Sequence, residues 1–451
     1  MKRPIRSEFD GLFRRYRRDA VLLHRPYPPH AGRRTNSRLG GLPGLPAHFE
    51  WPRTAGGTAL HFIAQVDCAD IGFSTPLPER GVLFFFQRDD DEQEWNNDGS
   101  LPADHFRVLY ATDASPGTPR REAPADLRQF GGSVPRMIWP GFAHEGGRGP
   151  NLRAEWPVHP LPMPSWPDAL PGYPDSLSLS FYEWARYKAP SAETWSRWRA
   201  SLVRMLGSEP TESWKDAEAR EGLYKVQLEQ LRVDAFTEVT GEQPARPPHE
   251  LAPNPRAGMA IFVHAEDGPE AYPQYWTTVR HCALALLYRP SRVLGADPAQ
   301  LASAAEEWLR RAKQAGLDEP VPEAERGAFR AWLAGLRASH DGAPISYDAA
   351  DLVFASMYAT IGDWAGDPTR AARVPPAVYE TLRYVFDAFS GSRVSFWQML
   401  GHAPSPQRPS PPDDPAVCLL ADPGGFTTFW IAPHDLARRD FSKAWGKMEG
   451  D

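Results

Sequence analysis

The stretch RLGGLPGLPAHFEWPRTAGGTALHFIAQVDCADI, residues 38–71, followed by PLPERGVLFFFQ, residues 76–87, decides the fold. Glycine and proline clusters break it at turn-like intervals. Between the breaks stand two short β-rich runs, residues 60–66 and 82–87. The second contains a continuous apolar run, LFFF, which suits a strand buried on both faces. Residues 106–110 read as a third strand, and residues 25–178 as a whole read as β and loop.

Working outward, DDDEQEWNND at residues 89–98 lacks the ligand register and central glycine of a calcium loop, so it reads as a solvated acidic hairpin tip. Residues 156–174 carry seven prolines in 19 positions, which predicts a stiff, extended strap across the surface between two lobes. Helical spacing then takes over. Trp195, Trp198, Leu202 and Met205 mark one helix closed by Gly207, and residues 212–233 continue the pattern through Leu223, Val226 and Leu231. After a proline-rich break at 243–255 come a predicted strand, 260–264, and an apolar run, 282–288. Asp297, Pro298 and Gln300 form a capping-box-like start for a helix that buries Leu301, Ala305, Trp308, Leu309 and Ala312 and stops at Gly316. Three further stripes follow, around Phe329, Leu333 and Leu336, then Phe354, Met357 and Ile361, then Val378, Leu382 and Phe389. At the front, Ile5, Phe9, Leu12, Phe13 and Tyr16 share one helical face, which predicts an N-terminal amphipathic helix, residues 1–24, docked on its own domain.

The reading is an α+β fold: a β-rich body with mixed or antiparallel sheets and a large helical insert. Its parts are residues 1–24, 25–178, 179–390 and 391–451. Leu39-Gly40-Gly41-Leu42-Pro43 with the later Gly81-led strand is echoed by Leu400-Gly401-His402-Ala403-Pro404 with the Gly425-led strand. The β body is therefore expected to comprise two similar units, with the helices inserted between them.

Composition narrows the function classes. A net charge of −7 repels nucleic acid on average, so no nucleic-acid partner is expected. No window approaches 18 uncharged apolar residues, so no membrane span is expected, and the opening MKRPIRSEFDGLFRRYRRD, whose charges interrupt every hydrophobic step, leads us to expect a cytoplasmic location. Cys68, Cys282 and Cys418 are far apart and odd in number, which reads as three buried small side chains in a reducing compartment.

The first block presents, in order, Gly-Gly-x-Pro, a Trp-Pro pair, a Phe-x-Ala-Gln-Val strand and a Leu-Pro-x-x-Gly-x-Leu-x-Phe-Phe strand. This order resembles the YwqG-like bacterial family of unknown function. GFTTFWIAPHDLARRDFSKAW, residues 425–445, is similar to that family's closing strand and short helices. The long helical middle departs from the family's compact members. By analogy the resemblance implies a non-catalytic protein-binding, immunity or accessory protein, with a toxin or another protein as partner. The alternative is a small-ligand sensor or enzyme with a pocket between the two β units.

The residues assign no reaction. There is no G-x-S-x-G elbow, P-loop, strand-linked G-x-G-x-x-G or H-E-x-x-H, and GGRG at residues 146–149 reads as a loop. No metal ligand set and no cofactor are predicted. Four residues of the first block are the ligand-binding candidates. Arg38 suits a carboxylate or phosphate, Trp51 offers a flat wall, and Gln65 and Asp67, two apart, share one face of a strand. The competing structural assignment has Gln65 and Asp67 satisfying loop amides, Trp51 covering the core, and Arg38 paired with Glu50.

Overall fold

A computed structural model of the chain describes residues 9–31, 34–90, 92, 101–128, 152–168, 214–242, 272–288, 297–338, 352–380, 396–404, 414–423 and 426–449. Eleven strands among them form two sheets, in which every strand pair is antiparallel. One sheet holds β2 (Arg38–Leu39), β3 (His61–Asp67), β4 (Val82–Gln87), β5 (Phe106–Ala111) and β6 (Trp156–Pro157), ordered β5-β4-β3-β2-β6. The other holds β1 (Arg18–His24), β7 (His159–Ser165), β8 (Gln398–Leu400), β9 (Val417–Ala421), β10 (Thr427–Ile431) and β11 (Trp445–Met448), ordered β11-β10-β9-β8-β1-β7. Both ends of the sequence thus build one β body, joined where β8 pairs with β1.

Every residue of β4 is buried, as its unbroken apolar run predicts. Leu83 and Phe85 face the second sheet, in a core with Ile63, Ala64, Val66, Val21, Leu419, Leu420 and Phe429. The Phe85 and Phe429 rings meet edge to face at 5.3 Å. Val82, Phe84 and Phe86 face the other way, under loops that bring Leu45 and Trp51. The space between the two sheets is therefore filled with apolar side chains. That corrects the expectation of a pocket there.

The four-strand runs β2-β3-β4-β5 and β8-β9-β10-β11 follow the same order in their sheets. Each first strand ends on two consecutive left-handed residues: Gly40 (φ 59°) and Gly41 (φ 70°) after β2, Leu400 (φ 61°) and Gly401 (φ 64°) at the end of β8. In each, the first side chain of the strand donates to the carbonyl four residues on, Arg38 Nη2 to Leu42 O at 3.0 Å and Gln398 Nε2 to His402 O at 2.6 Å.

Three readings change. Within the proline-rich stretch, residues 159–165 are an edge strand: in β7, Leu161 and Met163 alternate with Pro160, Pro162 and Pro164 against β1. Residues lacking an N–H recur every second position, so a whole row of donors is missing at no cost to pairing on an outer edge. The N-terminal helix is short: α1 is Asp10–Tyr16, and Arg18–His24, a β-type apolar run, is strand β1. Its Phe13 stacks at 5.0 Å on Tyr224, so it docks on its own chain. Finally, Asp89 and Asp90 are not solvated; they are 2% and 5% exposed and paired with Arg153 and Arg88.

Between β7 and β8 come α3 (Trp214–Thr240), α4 (Trp276–Tyr288), α5 (Pro298–Ala315), α6 (Glu323–Ala338), α7 (Leu352–Trp364) and α8 (Pro368–Ala371). The Asp297 side chain caps α5 by accepting from Ala299 N at 3.0 Å, and Gly316 ends the helix, both as expected. Helices α4 to α7 share a core of Trp308, Phe329, Val279, Ile361 and Trp364, which Tyr27 and Trp156 of the β body join, whereas α3 packs through Tyr224, Leu228 and Phe236 on Phe13 of α1 and Met163 of β7. No described helix is long and apolar enough to cross a membrane. The predicted helix around Trp195, the strand at 260–264, the GGRG loop and the later part of the Val378 stripe lie outside the described residues.

Candidate functional site

Arg38 and Gln65 are directly opposed across β2 and β3, so their side chains share a face of the five-stranded sheet. Gln65 pairs in turn with Phe84, which places that face away from the inter-sheet core. Asn36 ties the polar residues together: Gln65 Nε2 donates to its O and Oδ1, both at 2.9 Å, and Asn36 Nδ2 donates to Asp67 Oδ2 at 2.9 Å. Asp67 Oδ1 accepts from Ala69 N and so caps the short helix α2 (Cys68–Ile71). Below it, Asp70 Oδ2 accepts from Thr35 Oγ1, Asn36 N, Ser37 N and Ser37 Oγ at 2.7–3.0 Å. Both Asp67 and Gln65 thus spend oxygens on fixing loops, since Gln65 Oε1 accepts from Gly44 N at 2.9 Å.

Arg38 is different. It is 9% exposed, donates from Nη2 to Leu42 O and weakly from Nη1 to Asn36 O at 3.5 Å, and leaves its buried Nε–H without a partner among the described residues. No ion pair, with Glu50 or any other described carboxylate, neutralises it. Burial, and then the nearby Arg120 charge, pull its pKa down to about 9, so it stays charged at neutral pH. A guanidinium has five donors. Here a charge is held out of water with donors to spare, a costly arrangement for a group that serves packing alone.

Around it stand groups that no local pattern indicated. Arg120 makes a two-pronged pair with Glu155, one prong being Nη2 to Oε1 at 2.7 Å. Glu155 precedes β6 and lies against Gly41 of the β2 turn and Gly366 of the α7–α8 turn; a Cβ on either glycine would strike it. Trp51, by contrast, is not part of this group. Its ring packs edge to face on Phe86 at 5.4 Å and its Nε1 donates to Leu60 O at 2.8 Å, so it covers the core.

Other polar clusters are self-contained. His281 Nε2 lies 2.6 Å from Asp363 Oδ2 and staples α4 to α7; burial would raise the Asp363 pKa, but His281 and Arg280 outweigh it and hold it low. All three cysteines are buried and their thiols are pushed up to about 12 by burial, which leaves them protonated and unreactive. No cluster of three metal-ligating side chains occurs among the described residues.

Residues 37–240 match a family model described as a domain of unknown function (DUF1963). The matched span starts one residue before Arg38 and ends with the last residue of α3, so it contains Arg38, Gln65, Asp67, Arg120 and Glu155. No curated protein matches the chain.

Proposed function

We propose that this is a non-catalytic binding protein whose β body takes a small anionic ligand on Arg38. The observation that carries the reading is the buried guanidinium with an orphan Nε–H and no carboxylate among the described residues. The overlap of the YwqG-like motif block with the matched domain supports treating this face as a property of the module rather than of the helical insert. Gln65 and Asn36 hold the base of the site, and Asp67 and Asp70 hold Asn36 and the strand that bears Arg38.

Capture of a protein partner by an acidic, aromatic surface has less to rest on. Among the described residues the exposed large hydrophobics are Leu223, Val226 and Phe426, and Trp51, Trp156, Trp308 and Trp364 are buried. Binding hot spots favour exposed Trp and Tyr.

The test is a thermal-shift titration with sodium acetate against sodium chloride at matched ionic strength. Wild type is expected to gain midpoint temperature in acetate, and Arg38→Met to gain none. Because an apolar replacement removes an uncompensated buried charge, Arg38→Met should fold with stability within about 1 kcal/mol of wild type or above it. Arg38→Lys, which keeps the charge and loses the fork, should respond weakly. An undiminished acetate response in Arg38→Met overturns the assignment.

A further inference from the structure

The charges around Arg38 do not balance. Of the two neighbouring guanidiniums, Arg120 is paired with the carboxylate of Glu155, and Arg38 is paired with none among the described residues. A guanidinium and a carboxylate match as planar forks, so one further carboxylate would make two of each. A phosphate near neutral pH brings up to two charges beside Glu155 and meets about twice the repulsion that a single carboxylate meets.

The segment 115–121 stands beside Arg38 and carries Arg120. It is a turn closed by Thr118 N to Ser115 O and Ser115 N to Thr118 Oγ1, both at 2.9 Å. Thr118 O and Arg38 Nη2 stand 3.4 and 3.6 Å from the point a Cβ on Gly44 would occupy, so the turn and the guanidinium border the same space at Gly44. Its base is anchored by buried Leu127 and by the Arg53–Asp126 pair. Its tip is held by Arg121 N to Pro43 O at 2.8 Å, Arg121 Nη2 to Pro46 O at 3.1 Å, and the Arg120–Glu155 pair. Lifting the tip therefore breaks two hydrogen bonds and one half-exposed ion pair and nothing in the core. Glu155 cannot follow Arg120 freely, because Gly41 and Gly366 confine its carboxyl group.

Resting on the Arg38 reading above, we propose that the ligand is a monoanionic carboxylate that bridges Arg38 and Arg120 beside the 115–121 turn, taking at Arg120 the place Glu155 now holds. Glu155 is then an internal competitor that keeps Arg120 in position until the ligand arrives.

The experiment measures half-saturation by acetate and by inorganic phosphate on the full chain, at matched ionic strength, for wild type, Arg120→Gln, Glu155→Gln and the exposed charge control Glu79→Gln. Acetate should bind wild type more tightly than phosphate. Arg120→Gln should weaken acetate about tenfold, and Glu155→Gln, which frees Arg120, should tighten it about tenfold. Glu79→Gln should leave it unchanged. Tighter binding of phosphate than acetate, or equal effects of Glu155→Gln and Glu79→Gln, overturns the bridging proposal while the Arg38 reading stands. Acetate binding that survives in Arg38→Met removes both.

Discussion

Gly40→Ala is expected to lower stability by about 3–5 kcal/mol, against about 1–2 kcal/mol for Gly57→Ala. Both glycines have positive φ, 59° and 85°, so both substitutions carry the left-handed penalty of an L-residue. Around Gly57 there is open space. At Gly40 a Cβ would overlap Ala154 O and lie 2.8 Å from Arg153 O, both backbone atoms that no rotamer change can move aside. The chain would have to part β2 from the 153–155 segment, and that segment delivers Glu155 to Arg120. Urea midpoints for the two variants check the ordering, and equal losses would show that the close approach at Gly40 carries no weight.

Phe85→Ala should cost about 3–5 kcal/mol, because its ring is fully buried where the two sheets face each other. The partner across the interface, Phe429, comes from the far end of the sequence, and the pair sits edge to face at 5.3 Å. A double-mutant cycle with Phe429→Ala should therefore give a coupling of about 0.5–1.5 kcal/mol. Strict additivity would mean that the strands from the two ends of the chain do not pack on each other through these rings.

How much of this could be read in advance depends on how local the deciding physics is. The bounds of β4 follow from its unbroken VLFFFQ run, and the start of α5 follows from Asp297 and Pro298, because a strand buried on both faces and a helix cap are written in adjacent residues. Gln65 and Asp67 were legible as one strand face for the same reason. The proline-rich segment was misread because proline excludes itself from central strands but not from an outer edge, and edge position is a property of the whole sheet. Asp89 and Asp90 looked like a solvated tip because Arg128 and Arg153, which neutralise them with Arg88, are dozens of residues away. Arg120 and Glu155 left no trace for a similar reason: each is an ordinary surface charge in sequence, and only the fold sets their pair beside Arg38. The apolar space between the sheets, once expected to hold the pocket, is core because both four-strand runs turn their continuous hydrophobic strands toward it.

The claim on which the rest turns is that Arg38 holds a free donor awaiting an anion. It is tested most directly by the Nε–Hε resonance of that residue, in protein labelled with nitrogen-15 at arginine side chains and assigned by its loss in Arg38→Met. A slowly exchanging signal, as befits a buried N–H, is expected to move progressively as acetate is added and not with chloride. A signal that stays in place through the whole acetate titration would contradict it.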